Sequence, residues 1–408
     1  MEVRYSVPET WKFSALGSLA GCVFIFLFLH QSDLYVTLSA AKNAVIEYRE
    51  NVGIHPIDKT PKKCNIFEGK WVFKPGGRGD NFSYDALQCP FIDEKFNCRK
   101  NGRIDLEYEK WSWEAASCVI PLFDGRDMLE RLRNKRIILV GDSLNRNQWE
   151  SLACLLYTSI PTAEADAARR TYKILKIKAY NFTLEFFWDS FLVELNESHE
   201  SGKKVLKLDK LPPSSEEWRG ADVMVFNTGH WWALTGQYKR WDLLQYEGKL
   251  IEEKDMPIEQ AFKRGMETWA RWISNNVDPK KTKLFFRSLS PEHEKQWCYN
   301  FSQPMNINET YSSKFPNWLT KNIEGLMKEM NKGTQVVNYM NITKLSQYRR
   351  DAHPSIYRST EWKDGLEKLN VRAVADCSHW CLPGLPDTWN RLLYASLFFD
   401  SSTHMSSS

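Results

Sequence analysis

The chain has 408 residues, 42% apolar and 26% charged, a balance that excludes a disordered or fibrous polymer. Lys and Arg number 55 against 51 Asp and Glu. A net charge of +4 is too even for a protein held to nucleic acid by phosphate neutralisation, so no nucleic-acid partner is expected. There are 17 tryptophans, far above ordinary usage, and 9 cysteines, an odd number.

From Phe13 to Leu29 the stretch FSALGSLAGCVFIFLFL has 17 residues and no charge, the short end of what spans a bilayer. Arg4 and Lys12 precede it, which favours a cytoplasmic N-terminus. A cleavable signal peptide is the rival, with an apolar region of about 7–15 residues and a cleavage site close behind. The nearest such site, Ser39-Ala40-Ala41, lies well beyond the apolar run. The expectation is therefore a cytoplasmic tail over 1–12, an uncleaved transmembrane signal-anchor over 13–30 and a stem over 31–63.

Cys22 falls inside the anchor. The remaining cysteines are Cys64, Cys89, Cys98, Cys118, Cys154, Cys298, Cys377 and Cys381, an even set placed where disulfides persist. Sequons at Asn81, Asn181, Asn196, Asn300, Asn308 and Asn341 agree with a lumenal or extracellular body carrying N-glycans. Cys377 and Cys381 with His379 between them do not have the spacing of a usual zinc pair, so no metal is assigned.

Residues 64–118 are rich in Cys, aromatic residues and turn signals and form a disulfide-tied, loop-rich subdomain. The Arg-Gly-Asp string at 78–80 reads as a turn. From 119 to 395 the pattern changes, and 396–408 is a tail. Asp127–Leu132 reads as helix, and Arg136–Val140 as a buried parallel strand. Residues 144–157 follow as a helix with Trp149, Leu152, Ala153 and Leu156 on one face. Tyr180–Leu195 is rich in aromatic and β-branched residues and is a candidate strand. Val223–Phe226, Lys283–Phe286 and Val336–Val337 are further strands, with a helix over 258–276. Alternating strands and helices imply an α/β fold with a parallel sheet.

Gly141-Asp142-Ser143-Leu144 lies where a strand ends and a helix begins. Sites form at that edge of an open α/β sheet. A serine there is either a nucleophile, its N–H helping to bind an oxyanion, or simply a helix cap. Asp376-Cys377-Ser378-His379 supplies the missing partners: an imidazole base and a carboxylate that orients it. Cys377 and Cys381 would fix that turn if oxidised. Asn227-Thr-Gly-His230-Trp-Trp232 follows another strand. There the Asn227 amide and the Gly229 N–H are candidate oxyanion donors beside the Ser143 N–H. His230 is either a competing base or a packed, hydrogen-bonded histidine.

GDSLNRNQ (141–148), NTGHWW (227–232), YRRDAHPS (348–355) and DCSHWCLPGLPDTWN (376–390) resemble the plant trichome birefringence-like family, within the SGNH/GDSL hydrolase superfamily. The Cys64–Trp71 string and Trp111-Ser-Trp113 resemble that family's cysteine-rich N-terminal domain. The resemblance covers about 64–395. It implies an SGNH-hydrolase-like three-layer sandwich with a central parallel sheet. It also implies a single-pass type II Golgi membrane protein with a lumenal catalytic body, and polysaccharide O-acetyltransfer, with xylan as acceptor. Ser143 is then the nucleophile, His379 the base and Asp376 its orienter. After Ser290-Pro-Glu-His293 many members continue into a Gly-rich stretch. This chain reads Glu-Lys-Gln-Trp-Cys298, which bears on the choice of acceptor.

The implied mechanism is double displacement. Ser143 takes acetyl from a donor, either acetyl-CoA or another acetylated carrier, and a sugar hydroxyl then takes it from the enzyme. The donor is a co-substrate, and no bound cofactor is expected. Partners are the cell-wall polysaccharide, the donor and proteins that supply donor in the Golgi. Trp231, Trp232, Trp380 and Trp389 are candidates for stacking on sugar faces, each with core packing as its alternative. Arg146 is a candidate contact to donor or acceptor, or a helix-surface ion pair. The rival readings are a polysaccharide acetylesterase with the same triad and a pectin-binding protein in which the triad is vestigial.

Overall fold

The computed structural model describes residues 64–77, 84–160, 164–166, 171–294, 297–306, 308–358 and 375–399. The expected tail, anchor and stem, the Arg-Gly-Asp string and the Asn81 sequon lie outside them. Among the described residues no helix is long and apolar enough to cross a membrane.

In chain order the first elements are β1 (Gly69–Phe73), β2 (Trp111–Ala115), α1 (Gly125–Arg131), β3 (Arg136–Gly141) and α2 (Ser143–Thr158). Then come β4 (Glu164–Asp166), β5 (Tyr172–Ile177), β6 (Phe182–Trp188), β7 (Glu194–Asn196), β8 (Val205–Lys207) and β9 (Val223–Phe226). The rest are β10 (Leu243–Tyr246), β11 (Lys249–Ile251), α3 (Ile258–Asn276), β12 (Lys283–Arg287), α4 (Asn317–Met330), β13 (Val337–Met340), α5 (Thr343–Gln347) and α6 (Leu385–Phe398).

A seven-stranded sheet has the order β13-β12-β9-β3-β6-β5-β4. The run from β13 to β6 is parallel, and β5 and β4 join antiparallel. β3 is central, and its alternate residues feed two cores. Ile138 and Val140 join Phe226, Leu284 and Phe286 on one face. Ile137 and Leu139 join Leu184, Val225 and Phe285 on the other. A strand buried on both faces needs an unbroken apolar run, which is how β3 reads.

Helices complete two outer layers. α3 covers the first face with Phe262, Met266, Trp269 and Ile273, one stripe at helical spacing, and α4 lies beside it. α1, α2 and α6 cover the second face, α2 through Trp149, Leu152, Ala153 and Leu156. Trp149 is fully buried. Its replacement by Ala would cost about 3–5 kcal/mol.

Several boundaries differ from expectation. The strand expected over Tyr180–Leu195 is split into β6 and the start of β7, because the chain turns at Asp189–Leu192. Val336 is exposed, and the last strand starts one residue later. α6 runs to Phe398, past the expected start of the tail at 396, because Leu397 is buried and Phe398 packs on Tyr394. A four-stranded sheet, β11-β10-β8-β7, was not expected. Asn181, Asn300, Asn308 and Asn341 are exposed, and Asn196 is half-buried.

Four disulfides tie the cysteine-rich segment and the Asp-His turn together: Cys64–Cys118, Cys89–Cys154, Cys98–Cys381 and Cys298–Cys377. Cys377 and Cys381 therefore do not pair with each other. Each anchors one end of the turn to a different part of the chain. Non-reducing peptide mapping should recover these four pairs, and a Cys377–Cys381 bond would contradict the arrangement. Replacing Cys98 and Cys381 together by Ser should cost about 2–5 kcal/mol in denaturant unfolding.

Candidate active site

β3 ends at Gly141 with φ at +155°, and a Cβ there would lie 1.9 Å from Asn227 Oδ1. Only glycine lets the ends of β3 and β9 approach so closely. Asp142 then caps α2, its carboxylate accepting from the Leu144 N–H at 2.9 Å. Ser143 is the first residue of the helix. Helix geometry leaves its N–H without an intrahelical acceptor, at the positive end of the dipole.

The Asp376–His379 turn comes to this helix end from far along the chain. Asp376 Oδ1 accepts from the Ser378 and His379 N–H groups, both at 3.0 Å. Its Oδ2 lies 2.8 Å from His379 Nδ1, and His379 Nε2 lies 2.7 Å from Ser143 Oγ. A carboxylate can only accept, so Nδ1 carries the proton and Nε2 is left to accept from the serine hydroxyl. Burial would raise the Asp376 carboxyl, but the charge of His379 and the hydrogen bonds from His379 and Ser378 outweigh it. The group is held well below the usual carboxylate range.

The turn is braced on every side. Asp376 and Ser355 exchange backbone hydrogen bonds at 2.9 and 3.0 Å. Asn147 of α2 both donates to the Trp380 carbonyl and accepts from its N–H. His353 lies stacked on Trp380, with 3.9 Å between ring centroids, and its Nδ1 donates to the His379 carbonyl. His293 Nδ1 lies 2.7 Å from His353 Nε2. Burial pushes both imidazoles below the ordinary histidine range, His293 to about 4. Nothing local in the sequence marked His293 or His353 for this. His353 lies 26 residues before His379 in the chain, and His293 lies 60 before His353.

A cavity of about 360 Å³ opens on the triad, lined by Ser143 and His379 with Lys95, Arg146, Thr171, Trp188, Trp231 and Arg240. Trp231 and Arg146, both candidates from the sequence, are among these lining residues. The Arg146 guanidinium lies 5.4 Å from the Trp188 ring and 3.7 Å from Asp93, so it has both a wall position and an ion pair. Lys95, Thr171, Trp188 and Arg240 were missed, because no local signal joins them to a motif. Trp188 ends β6, next to β3, so sheet order alone would have pointed to it.

The other proposed contacts do not line this cavity. Trp232, Trp380 and Trp389 are at most 1% exposed and present no face to a sugar. Their indole N–H groups bond to Thr228, Ser290 and Ser346 inside the core. The Asn227 amide donates to Asp142 at 2.9 Å rather than into the cavity. At Gly229 the position of a Cβ faces Leu289 and Leu319, on the core side. Neither residue is among those that line the cavity. His230 is no competing base, since its Nε2 donates to the Ser290 carbonyl at 2.8 Å and its ring is buried. Among the described residues no cluster of His, Cys, Asp and Glu could hold a metal ion.

A serine, a histidine and an aspartate so arranged at a helix N-terminus are the groups that acyl transfer through a serine ester requires. Comparison with known proteins agrees. Residues 120–396 match the GDSL/SGNH-like acyl-esterase family found in Pmr5 and Cas1p, and residues 62–119 match the PMR5 N-terminal domain. Protein trichome birefringence-like 6 of Arabidopsis thaliana is 40% identical over 375 residues, covering 86% of this chain and 74% of the relative. Protein trichome birefringence-like 38 of the same plant is 40% identical over 343 residues, 82% of this chain and 84% of its own length. Protein trichome birefringence is 39% identical over 356 residues, 82% of this chain and 56% of its own length. The chain belongs to the trichome birefringence-like family.

Asp376→Asn presents an N–H to His379 Nδ1 and forces the wrong tautomer. Turnover of a small acetyl ester should fall about 10⁴-fold. Asp376 also titrates below its unfolded value of about 3.9. Its stabilisation is therefore complete above that pH and is lost only as pH falls from there toward the lower folded value. The gap in urea midpoint between wild type and Asp376→Asn should hold from about pH 7 down to about pH 4 and narrow only below that.

Proposed function

We propose that the protein is a Golgi O-acetyltransferase that moves acetyl groups onto hydroxyls of a cell-wall polysaccharide, with xylan as acceptor. The observation that carries the reading is the continuous hydrogen-bonded line from Asp376 through His379 to Ser143, opening on a cavity with tryptophan walls. The N-terminal apolar segment would be the type II anchor, and the exposed sequons would carry glycans in the lumen.

His379 takes the proton of Ser143 Oγ as it attacks the acetyl carbonyl of the donor. The donor is an acetyl thioester such as acetyl-CoA or another acetylated carrier. The oxyanion forms beside the Ser143 N–H and the positive end of α2. A well-placed donor of this kind is worth about 10²–10³ in turnover. His379 then gives its proton to the leaving group, and an acetyl ester remains on Ser143. An acceptor hydroxyl loses its proton to His379 and attacks that ester; the bond from the acetyl carbon to Ser143 Oγ breaks, His379 returns the proton to Oγ, and the O-acetyl sugar leaves. Atoms and charge balance over the cycle, and water is the competitor at the second step. Trp188 and Trp231 supply apolar walls where the acceptor ring would sit, and they narrow the space open to water. The intact triad argues against a binding protein with a vestigial site.

The test uses full-length protein in detergent with deacetylated xylo-oligosaccharides and an acetyl donor, read by product mass. Acetyl gain is expected in wild type and none in Ser143→Ala. Acetyl loss from acetylated substrate without gain would assign an esterase instead. Equal activity in Ser143→Ala would overturn the mechanism. An aromatic contact is worth about 0.5–1.5 kcal/mol. Trp188→Ala and Trp231→Ala should therefore each raise KM for the oligosaccharide by up to roughly tenfold, with hydrolysis of a small acetyl ester little changed.

A further inference from the structure

His230 follows β9 and lies behind the nucleophile, not in front of it. Its ring is 7% exposed and meets Phe315 edge-on at 4.7 Å. Nε2 lies 2.8 Å from the Ser290 carbonyl oxygen, and Nδ1 lies 3.3 Å from Asp142 Oδ2. Both partners can only accept. A neutral imidazole has one N–H and one lone pair. It would satisfy one oxygen and turn a lone pair toward the other. Only the imidazolium suits both, with a hydrogen bond on one side and an ion pair on the other.

The groups around the ring bear on its charge. Asp142 faces it from the β3–α2 turn, and Glu292 acts from the segment after β12, itself 3.2 Å from Lys314. Arg287 at the end of β12 is fully buried and acts on the same Asp142. Burial opposes protonation of His230, but the pull of Asp142 and then of Glu292 exceeds it, and the group titrates above the ordinary histidine value. Asp142 is correspondingly held well below the carboxylate range, against its own burial.

We propose that His230 is a positioning residue that works as an imidazolium, pairing with Asp142 to hold the Asp142–Ser143 turn and to offset the carboxylate directly behind the nucleophile. Asp142 Oδ1 accepts from the Leu144 N–H and from the Asn227 amide, both at 2.9 Å, so its position sets the first turn of α2. Loss of the His230 proton leaves a lone pair against an oxygen and removes one of the positive charges that face the carboxylate next to Ser143. The sign follows from linkage. A pKa raised by folding gives stabilisation that is complete below the unfolded value and is lost as pH rises through the folded one. His230 must be charged, which sets an alkaline limb.

The proposal rests on Ser143 acting as nucleophile, so the test reads only the first half-reaction. The kcat/KM for p-nitrophenyl acetate is measured against pH for wild type, His230→Gln and Ser143→Ala. Wild type should show the alkaline limb. His230→Gln should lose it and up to about 100-fold in kcat/KM, the cost of a small displacement of the nucleophile. An alkaline limb with unchanged midpoint in His230→Gln overturns the proposal. In parallel, histidine-labelled wild type is examined by NMR, which needs no variant to fold. His230 should be doubly protonated at neutral pH and should titrate lower in Asp142→Asn. The shifts of a neutral tautomer at neutral pH overturn the proposal. Activity that survives Ser143→Ala would instead remove the reading on which it rests.

Discussion

Ser143 and His379 meet across 236 residues of chain, and the hydrogen bond between them is what the rest of the molecule has to maintain. Neither side can do this alone. Ser143 is placed by β3, α2 and the glycine at their junction. His379 sits on a turn with no regular secondary structure and would be costly to order unaided, at about 1–2 kcal/mol per residue of backbone entropy. The fold meets that cost with covalent and polar ties. Cys98–Cys381 brings the cysteine-rich segment against one end, and Cys298–Cys377 brings the loop after β12 against the other. Asn147 joins the turn directly to the helix that carries the nucleophile. The cysteine-rich segment is thus part of the catalytic scaffold. It contributes Phe96 beside the His379 ring at 5.1 Å and Lys95 on the cavity wall.

The charges follow the same logic. Asp376, Asp142, Arg287 and His230 are all buried, and an unpaired buried charge costs several kcal/mol. Each has a partner of opposite sign or a set of hydrogen-bond donors or acceptors. Asp376 and Asp142 have different relations to Ser143. One reaches it through His379; the other precedes it in the chain, caps α2 and faces His230. Two carboxylates near one serine are compatible only because each faces its own imidazole.

What was legible in the sequence was local. β3, β9 and α3 declare themselves through short apolar runs or a helical stripe. The triad does so through residue types that need one another at a turn. α6 escaped because it is buried on nearly all sides and so has no polar face to set a period, and because Pro383, Gly384 and Pro386 read as a turn. Pro386 is instead tolerated in the first helical turn, where its missing N–H has no partner to lose. The second sheet escaped because strands of three or four residues fall below any pattern. Disulfide partners, and the bracing by His293 and His353, depend on tertiary approach between distant segments. No spacing rule reaches them.

The tryptophans show the same limit most sharply. Proximity to a motif says which segment a ring belongs to but not which way it points. Trp231 and Trp232 are adjacent, yet one lines the cavity and the other is in the core against Phe262 and Trp241. Core packing claims most of the excess, including Trp218 and Trp269 in one chain of edge-on contacts through Phe226. The two rings left at the site are edge-on to each other at 5.6 Å and 88°, so their faces point in different directions. A single sugar ring can stack on one of them while the other closes the side. Arg146 and Arg240 lie over these rings at 5.4 and 5.0 Å. With Lys95 they make the cavity lining cationic, and no carboxylate is among the described residues that line it. Aromatic walls that exclude water strengthen any electrostatic interaction within them. A lining of that sign favours an anionic group at Ser143 over a cationic one.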